Sequence, residues 1–434
     1  FSLDAAGSRM RSDPETGVEA EAGHAQGSAV SKPRQGIFVL MFVAAWQSYI
    51  LHSAAVWQVK SACVDPSDAA YLLGYVHGAG ICLELLVSPS LSLLPVLGLM
   101  FYVRIAVLAA VAKACVLLFT ESVGMAAASI VFHQPIWALG VAALHSAFHG
   151  REAQGRTSAL FAFAFVVGPS AFGFLTVADP RLPFVVCLVL QAVALTLTHF
   201  VEAPAAVSSS KNTDVTAASF RKLKGLLWSF PNLPSRLVLI ACSQTASGVW
   251  HSVSLQWVTG CLGWDVRAAG LLMSGSALCT ALWNGPLLPW IFPIVGDSHK
   301  GIALLFLVHG LKYTAYAVAG THVPEVMGLC AVALAAGAIK DPLVRSQILG
   351  MSEPNRGALG AAISITQTVC RLTGSLLGGA VLAFALENPV YQAVPALCTA
   401  VILLVGALFS ALLPTASEND GSFAAHYIAS RRVD

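Results

Sequence analysis

Charged side chains are scarce in this sequence. They make up 11% of the 434 residues, whereas hydrophobic residues make up 56%. A soluble domain carries roughly 25% charged residues, so this chain could not cover a large soluble core with polar surface. The composition argues against a soluble globular protein, and the net charge of +2 gives no reason to expect nucleic acid as a partner.

Sequence signatures of several catalytic and nucleotide-binding sites are also missing. There is no Gly-x-x-x-x-Gly-Lys-Ser/Thr loop to hold phosphates, and this argues against ATP-driven transport by this chain alone. There is no zinc-ligand spacing and no nucleophile elbow. We therefore expect no enzyme activity, no metal and no cofactor. Residues 1–35 are polar, lack the apolar core of a signal peptide, and are predicted to form an N-terminal tail.

Long apolar runs dominate the rest of the chain, and each is about as long as the roughly 20 residues that a helix needs to cross a bilayer. Strict alternation of polar and apolar residues, which a membrane β-barrel would require, is absent. The runs predict an all-α membrane protein with twelve transmembrane helices, and the lipid bilayer as its first partner. The predicted spans are 36–57, 69–88, 95–118, 123–146, 157–177, 181–201, 237–259, 267–289, 300–319, 324–346, 358–384 and 391–414.

The longest polar break divides these spans into two sets of six. The sequence predicts an N-terminal six-helix bundle at 36–201, a linker with a basic segment at 202–236, a C-terminal bundle at 237–414 and a tail at 415–434. Lys and Arg gather on the side of the linker and of both termini, which are therefore predicted to be cytoplasmic. The identity of the membrane stays open. Cys63 and Cys261 fall on the opposite side, where two free thiols are favoured over a disulfide.

One motif recurs about 205 residues apart, in the fifth and eleventh spans. Arg151 and Arg356 each precede a glycine by four residues and open an apolar run that contains further glycines. In the first copy these are Gly168-Pro169 and Gly173, and in the second Gly374 and Gly378. Glycine lets helix backbones approach closely and proline frees a carbonyl group, so all five positions are predicted to be packing or hinge points.

These residues resemble the major facilitator superfamily, in particular its branch of drug and organic-solute antiporters. The resemblance implies two pseudo-symmetric six-helix bundles and a secondary transporter that moves a small solute by alternating access. One stretch departs from the family pattern. The break between the second and third spans, from Ser88 to Gly98, carries no charge where the family has a basic loop. That departure keeps an alternative open, a transport-inactive scaffold or accessory subunit of a larger membrane complex.

A few charged residues lie inside spans, where each costs about 2.5–3.5 kcal/mol on insertion scales and is expected to face the bundle interior. Glu84 and Arg104 lie at similar depth and are predicted to form a structural ion pair. Lys312 and Arg371 suggest a cavity for an anionic solute, or else side chains that bond to helix carbonyls. Asp341, next to Lys340, is expected to point away from it and to neutralise Lys312 or Arg371.

Polar and aromatic stripes give further candidates for the substrate site. Gln244, Ser247, His251 and Ser254 share one face of the seventh span, and the resemblance places that span at the cavity. The same stripe would also suit hydrogen bonding between helices. Trp46 and Tyr49 on the first span are candidates too, with packing as the alternative.

Proton coupling is the third role considered for residues inside the spans. Asp341 and Glu84 are the carboxylates placed well inside spans, and His251 titrates near neutral pH. These three are predicted to carry any coupled proton, with a purely structural histidine as the alternative for His251.

Overall fold

The computed structural model describes residues 32–87, 98–146, 151–201, 230, 232–284, 286–295, 298–319, 324–352 and 356–413. All regular secondary structure in these ranges is helical. In the first half of the chain, six long helices follow one another. They are α1 (Lys32–Ala62), α2 (Pro66–Val87), α3 (Leu99–Phe119), α4 (Val123–Ser146), α5 (Arg151–Ala178) and α6 (Leu182–Phe200).

The second half repeats this sequence of six, with two helices that are locally irregular. A π-helical turn, Trp257–Cys261, prolongs α7, and the short helix Leu288–Val295 lies between α8 and α9. The tenth span, α10, is built of Pro324–Ala333, the 3₁₀ turn Ala335–Ile339 and Lys340–Gly350. The others are α7 (Leu233–Gln256), α8 (Val266–Asn284), α9 (His299–Ala319), α11 (Arg356–Glu387) and α12 (Val394–Leu412).

Eleven helices in the described ranges are long and apolar enough to cross a membrane. The remaining long helix is α7, whose serine, glutamine and histidine side chains lower its hydropathy. With α7 included, the described residues form the twelve predicted spans.

Several predicted boundaries shift. The predicted linker, 202–236, overlaps α7, which begins at Leu233, and the break expected after the fourth span is helical from Arg151 onward. The basic segment of the linker lies outside the described residues, which include only 230 and 232–236 of the predicted linker. The uncharged stretch from Ser88 to Gly98 also lies outside them, except for Gly98 itself. The division into two bundles and a cytoplasmic linker otherwise stays a prediction.

The two halves pack their helices in the same order. In the first half α1 packs on α5 and α6, α3 packs on α4 and α6, and α2 packs on α4. In the second half α7 packs on α11 and α12, α9 packs on α10 and α12, and α8 packs on α10. Two further contacts, α2 with α11 and α5 with α8, join the halves. The helices α5 and α11, which carry the repeated glycine motif, thus each take part in one of the two joining contacts.

Small residues let the backbones touch where α2 crosses α11. A Cβ atom on Gly74 would lie 2.9 Å from the Cα of Gly379, and one on Gly379 would lie 2.9 Å from the carbonyl oxygen of Ala70. In lipid there is no hydrophobic force between helices, so this close van der Waals packing is a main source of helix association.

The crossing of α5 and α8 adds a hydrogen bond to the same kind of packing. Pro169 interrupts the hydrogen-bond ladder of α5 because it has no N–H and its ring crowds the preceding turn. The next backbone N–H, that of Ser170, donates to the hydroxyl of Ser274 on α8 at 3.0 Å. A Cβ atom on Gly270 would contact the carbonyl oxygen of Pro169, and one on Gly173 would lie 2.8 Å from that of Val266.

The predicted packing glycines all lie at helix contacts. Gly168 faces the Cβ of Tyr49 on α1, and Gly173 faces α8. Gly374 and Gly378 face α7, where a Cβ on Gly374 would lie 3.0 Å from Gly248 and one on Gly378 would lie 2.8 Å from the Val249 carbonyl. Which of them also act as hinges stays a prediction.

We expect Gly270→Ala to destabilise the protein by roughly 1–3 kcal/mol, because the added methyl group overpacks the contact with Pro169. The measurement is the thermal unfolding temperature of purified protein in mild detergent. Gly275→Ala is the matched control on the same helix, since nothing lies within 4 Å of a Cβ atom there. Equal unfolding temperatures for the two variants would contradict the assigned contact.

Candidate functional site

A cavity of about 850 Å³ lies inside the helix bundle. Its wall is formed mainly by α7, α8, α9 and α10 of the second half, and α5 contributes from the first half. The cavity lining extends from Val258, in the π-helical turn after α7, to Asn284, the last residue of α8, and Pro286. The lining therefore reaches from the end of the bundle at which α7 finishes to the end at which α8 finishes.

Aromatic side chains form one part of the cavity wall. Trp250 packs edge-on against Tyr313, with ring centroids 4.8 Å apart, and Tyr316 lies 5.6 Å from the same indole. Phe165 on α5 lies edge-on to His251, with centroids 6.2 Å apart. Rigid aromatic walls with a few fixed polar groups are typical of sites for small organic molecules.

Lys312 supplies a buried positive charge to this wall. Its exposed fraction is 4%, and its ammonium group donates to the hydroxyl of Ser276 at 2.7 Å. The rings of Tyr313 and Tyr316 lie 5.8 and 5.6 Å from the nitrogen, within the range of cation–π attraction. No carboxylate among the described residues lies within ion-pair distance of Lys312. Its charge is therefore solvated by one hydroxyl and two ring faces.

A second lysine, Lys340, belongs to a connected polar group. Its ammonium nitrogen lies 2.7 Å from Nδ1 of His309 and 3.5 Å from Oδ1 of Asp341. The same carboxylate oxygen accepts a 2.5 Å hydrogen bond from Ser243 on α7. The side chain of Lys340 is 1% exposed and that of Asp341 30% exposed. The prediction that the two adjacent residues point apart was wrong, because the long lysine side chain reaches its neighbour's carboxylate.

The break in α10 explains where this pair lies. The first helical segment ends at Ala333, and Ala335–Ile339 form a tight 3₁₀ turn in which Gly337 packs against His309. A new helical segment begins at Lys340, with Pro342 in its first turn. Proline is tolerated there because a first-turn N–H has no acceptor within the helix. Lys340 and Asp341 thus begin a helix that is in contact with α9.

Arg345 adds a third cation to the cavity wall. Its position close to the end of a span made it a poor candidate from the sequence. Its guanidinium group donates to the side-chain oxygen of Gln367 on α11, at 2.5 and 2.9 Å, once the amide is oriented to accept. Within the described lining, three cations therefore face the single carboxylate of Asp341.

The predicted polar stripe of α7 reaches the cavity only in part. Ser247, His251 and Ser254 line it, whereas Gln244 is buried in the bundle outside the lining. Trp46 and Tyr49 also lie outside the lining. Trp46 stacks on Phe42, and Tyr49 packs edge-on against Phe165, with centroids 4.8 Å apart. The substrate roles of all these residues stay predictions.

The other predicted charges lie around the cavity rather than in its wall. Arg371 is close enough to His251 and Glu84 to interact electrostatically with both. Glu84 also hydrogen-bonds to Gln134. Arg104 donates to the hydroxyl and the carbonyl oxygen of Thr198 at 3.3 and 3.2 Å. The ion pair between Glu84 and Arg104 stays a prediction.

The far end of the bundle is bridged between the halves. Lys60, near the end of α1, donates to the hydroxyl of Thr259 in the π-helical turn of α7 at 2.6 Å. Trp257 anchors the same turn by donating to the carbonyl oxygen of Gln392 at 2.6 Å. Cys63 and Cys261, which flank this region, are both free thiols.

Sequence reasoning missed Ser243, Ser276 and the aromatic partners of Lys312. A signal for part of this set was present, because His309, Lys312, Tyr313 and Tyr316 follow the spacing of one helix face. Ser243 and Ser276 carry no such signal. Single serines are frequent in membrane helices, and only their position opposite Asp341 and Lys312 distinguishes them.

Structural comparison identifies the fold. Over 88% of this chain and 98% of the other, the structure superposes on the nucleoside transporter NupG with a TM-score of 0.69 and 11% sequence identity. The human organic anion transporter MFSD10 superposes over 87% of this chain and 99% of its own, with a TM-score of 0.61 and 13% sequence identity. The peptide transporter POT superposes over 87% of this chain and 93% of its own, with a TM-score of 0.65 and 13% sequence identity.

No family model matches the sequence, and no curated protein matches it by sequence. The structural likeness and the twelve helices show an integral, multi-pass, all-α membrane protein with the major facilitator fold. The fold prediction is confirmed. The narrower resemblance to the antiporter branch stays a prediction.

The buried pair on α10 gives a direct stability test. Asp341→Asn leaves the Lys340 charge without its carboxylate, and we expect a loss of roughly 3 kcal/mol, because an uncompensated buried charge is costly. Unfolding is followed by tryptophan fluorescence in detergent. The double variant Lys340→Met/Asp341→Asn removes both charges and is expected to recover most of the loss. A double variant as unstable as Asp341→Asn would show that the pair is not the cause.

Proposed function

We propose that this chain is a secondary transporter that binds a small organic anion in the cavity and moves it across the membrane by alternating access. The observation that carries the proposal is the charge of the cavity wall. Lys312 lies there with no carboxylate partner among the described residues, and Lys340 and Arg345 outnumber Asp341. In a medium of low dielectric constant, a cation gains far more from pairing with an anion than it does in water.

The shape of the cavity supports this choice of solute. Lys312 offers its ammonium group beside the rings of Trp250, Tyr313 and Tyr316. An organic anion can place its charged group on the lysine and its apolar part against the aromatic wall. An inorganic ion would use only the first of these contacts. One structurally similar protein is named an organic anion transporter and another was solved with sulfate, which fits the same chemistry.

The two ends of the bundle support alternating access. The cavity extends to Pro286 at one end, while Lys60 and Thr259 join the halves at the other. The pairs α2–α11 and α5–α8 are the contacts about which the halves would rock.

A proton relay through Asp341 fits the same geometry. Its carboxylate contacts Ser243 and Lys340, and Lys340 contacts His309, so protonation of Asp341 would free the lysine to bind the solute. His251 lines the cavity as a second candidate, and Glu84, next to Gln134, as a third. We propose Asp341 as the coupling residue because it pairs with Lys340, a cation of the cavity wall.

Lys312→Met is expected to lower uptake of organic anions into proteoliposomes by at least about tenfold, since a charge-assisted hydrogen bond is worth roughly 1.5–3 kcal/mol. Lys312→Arg keeps the charge and should retain most of the uptake. Uptake of a panel of radiolabelled carboxylates, sulfates and phosphate esters is the measurement, with imposed pH gradients in parallel.

Arg104→Gln is the matched control, because it removes a cation that binds Thr198 outside the cavity. Unchanged anion uptake by Lys312→Met, with the variant folded and monodisperse, would refute the proposed site. Absence of any uptake by wild-type protein, together with tight co-purification of unrelated subunits, would favour the alternative of a transport-inactive scaffold.

A further inference from the structure

One polar side chain of the cavity wall has no part yet in binding the solute. His309 on α9 lines the cavity, three residues before Lys312 on the same helix. Residues three apart on a helix are neighbours, with Cβ atoms about 5–6 Å apart. Both side chains also contact Tyr313. The centroid of its ring lies 5.4 Å from that of the His309 ring and 5.8 Å from the Lys312 nitrogen. The imidazole and the ammonium group are therefore adjacent on one wall of one cavity.

The contact with Lys340 determines which nitrogen of His309 carries the proton. The Lys340 ammonium nitrogen lies 2.7 Å from Nδ1 of the imidazole. An ammonium group has three donors and no acceptor, so Nδ1 accepts this hydrogen bond and carries no proton of its own. The carboxylate of Asp341, 3.5 Å from the same ammonium group, is the counter-charge of the lysine. The imidazole is therefore neutral, with its single proton on Nε2.

The protonated nitrogen is also the one that stays free. Nε2 of His309 makes no hydrogen bond to any described residue, and it is not among the buried side-chain atoms that lack a partner in the same part of the chain. Because the side chain lines the cavity, Nε2 is accessible from it. The histidine is also held in place, since a Cβ atom on Gly337 would lie only 2.6 Å from its backbone nitrogen. His309 thus offers a positioned, uncharged N–H donor to a molecule in the cavity.

We propose that His309 determines solute specificity by donating its Nε2–H to an uncharged oxygen of the solute, next to the anionic group held by Lys312. This deepens the proposed function and rests on it. The anionic group gains most from the ammonium group, which leaves the neutral donor for a carbonyl oxygen. The site therefore selects oxocarboxylates over simple carboxylates of the same length, because a ligand without the second acceptor leaves the donor unpaired when it excludes water.

The test compares carboxylates that differ in one carbonyl oxygen, with propionate and pyruvate as one pair and valerate and levulinate as the other. Binding to purified protein in detergent is measured by isothermal titration calorimetry. We expect wild-type protein to bind the oxo acid of at least one pair about tenfold more tightly than its parent. His309→Asn keeps a side-chain oxygen that can accept from Lys340 but has no group in the place of Nε2. It is expected to lose this preference, while its binding of the parent acid stays within about twofold.

Two further variants separate the donor from the rest of the side chain. His309→Gln has a longer side chain that can place an amide N–H near the position of Nε2, and it is expected to keep part of the preference. His299→Asn makes the same substitution at the beginning of α9, outside the cavity lining, and is expected to bind both kinds of acid as wild-type protein does. Gel filtration and thermal unfolding establish that each variant is folded.

The outcomes distinguish this proposal from the function on which it rests. A preference that survives in His309→Asn, or an equal loss of both kinds of acid in that variant while it is folded, overturns the role of His309 and leaves the Lys312 site intact. Equal binding of the paired acids by wild-type protein does the same. Lys312→Met is expected to weaken the binding of every acid in the set. Unchanged binding in that variant would overturn the proposed cavity site itself.

Discussion

The cost of holding a lysine ammonium group inside a membrane-spanning bundle constrains most of this structure. Lys312 and Lys340 are both almost fully buried, yet the protein solves the problem differently for each. Lys340 has Asp341 and His309 as partners within the protein. Lys312 has one hydroxyl and the faces of two tyrosine rings. The first arrangement pairs the charge within the protein, whereas the second leaves Lys312 without a carboxylate among the described residues, and it is there that we propose the solute binds.

The helix architecture provides the setting in which that difference matters. Because backbone groups in lipid must be satisfied within the protein, irregular backbone is confined to places that are packed or that border the cavity. The 3₁₀ turn of α10 packs through Gly337 onto α9, and the π-helical turn of α7 is fixed by Trp257 and Thr259. Both irregular segments thus adjoin groups to which we assign a role in binding or closure.

The sequence predicted the fold well because the relevant signals are long. An apolar run of the length of Leu99–Phe119 has few alternatives to a membrane helix, and the repeated glycine motif indicated the two halves. Individual site residues were harder to predict. Lys312 and His251 were found because charge and polarity stand out in apolar surroundings. Ser243, Ser276 and Arg345 were not, because their importance depends on which helix lies opposite them. The contact between Lys340 and Asp341 was mispredicted because helix geometry describes where Cα–Cβ bonds point and not how far a lysine can bend.

The two contacts that join the halves differ in mechanical character. Between α2 and α11 the closest approach is between backbone atoms, with Gly74 on Gly379. Between α5 and α8 the main-chain N–H of Ser170, the residue after Pro169, donates to the hydroxyl of Ser274. If the halves rock as proposed, this hydrogen bond would oppose displacement where α5 crosses α8, whereas the described residues show no such bond where α2 crosses α11.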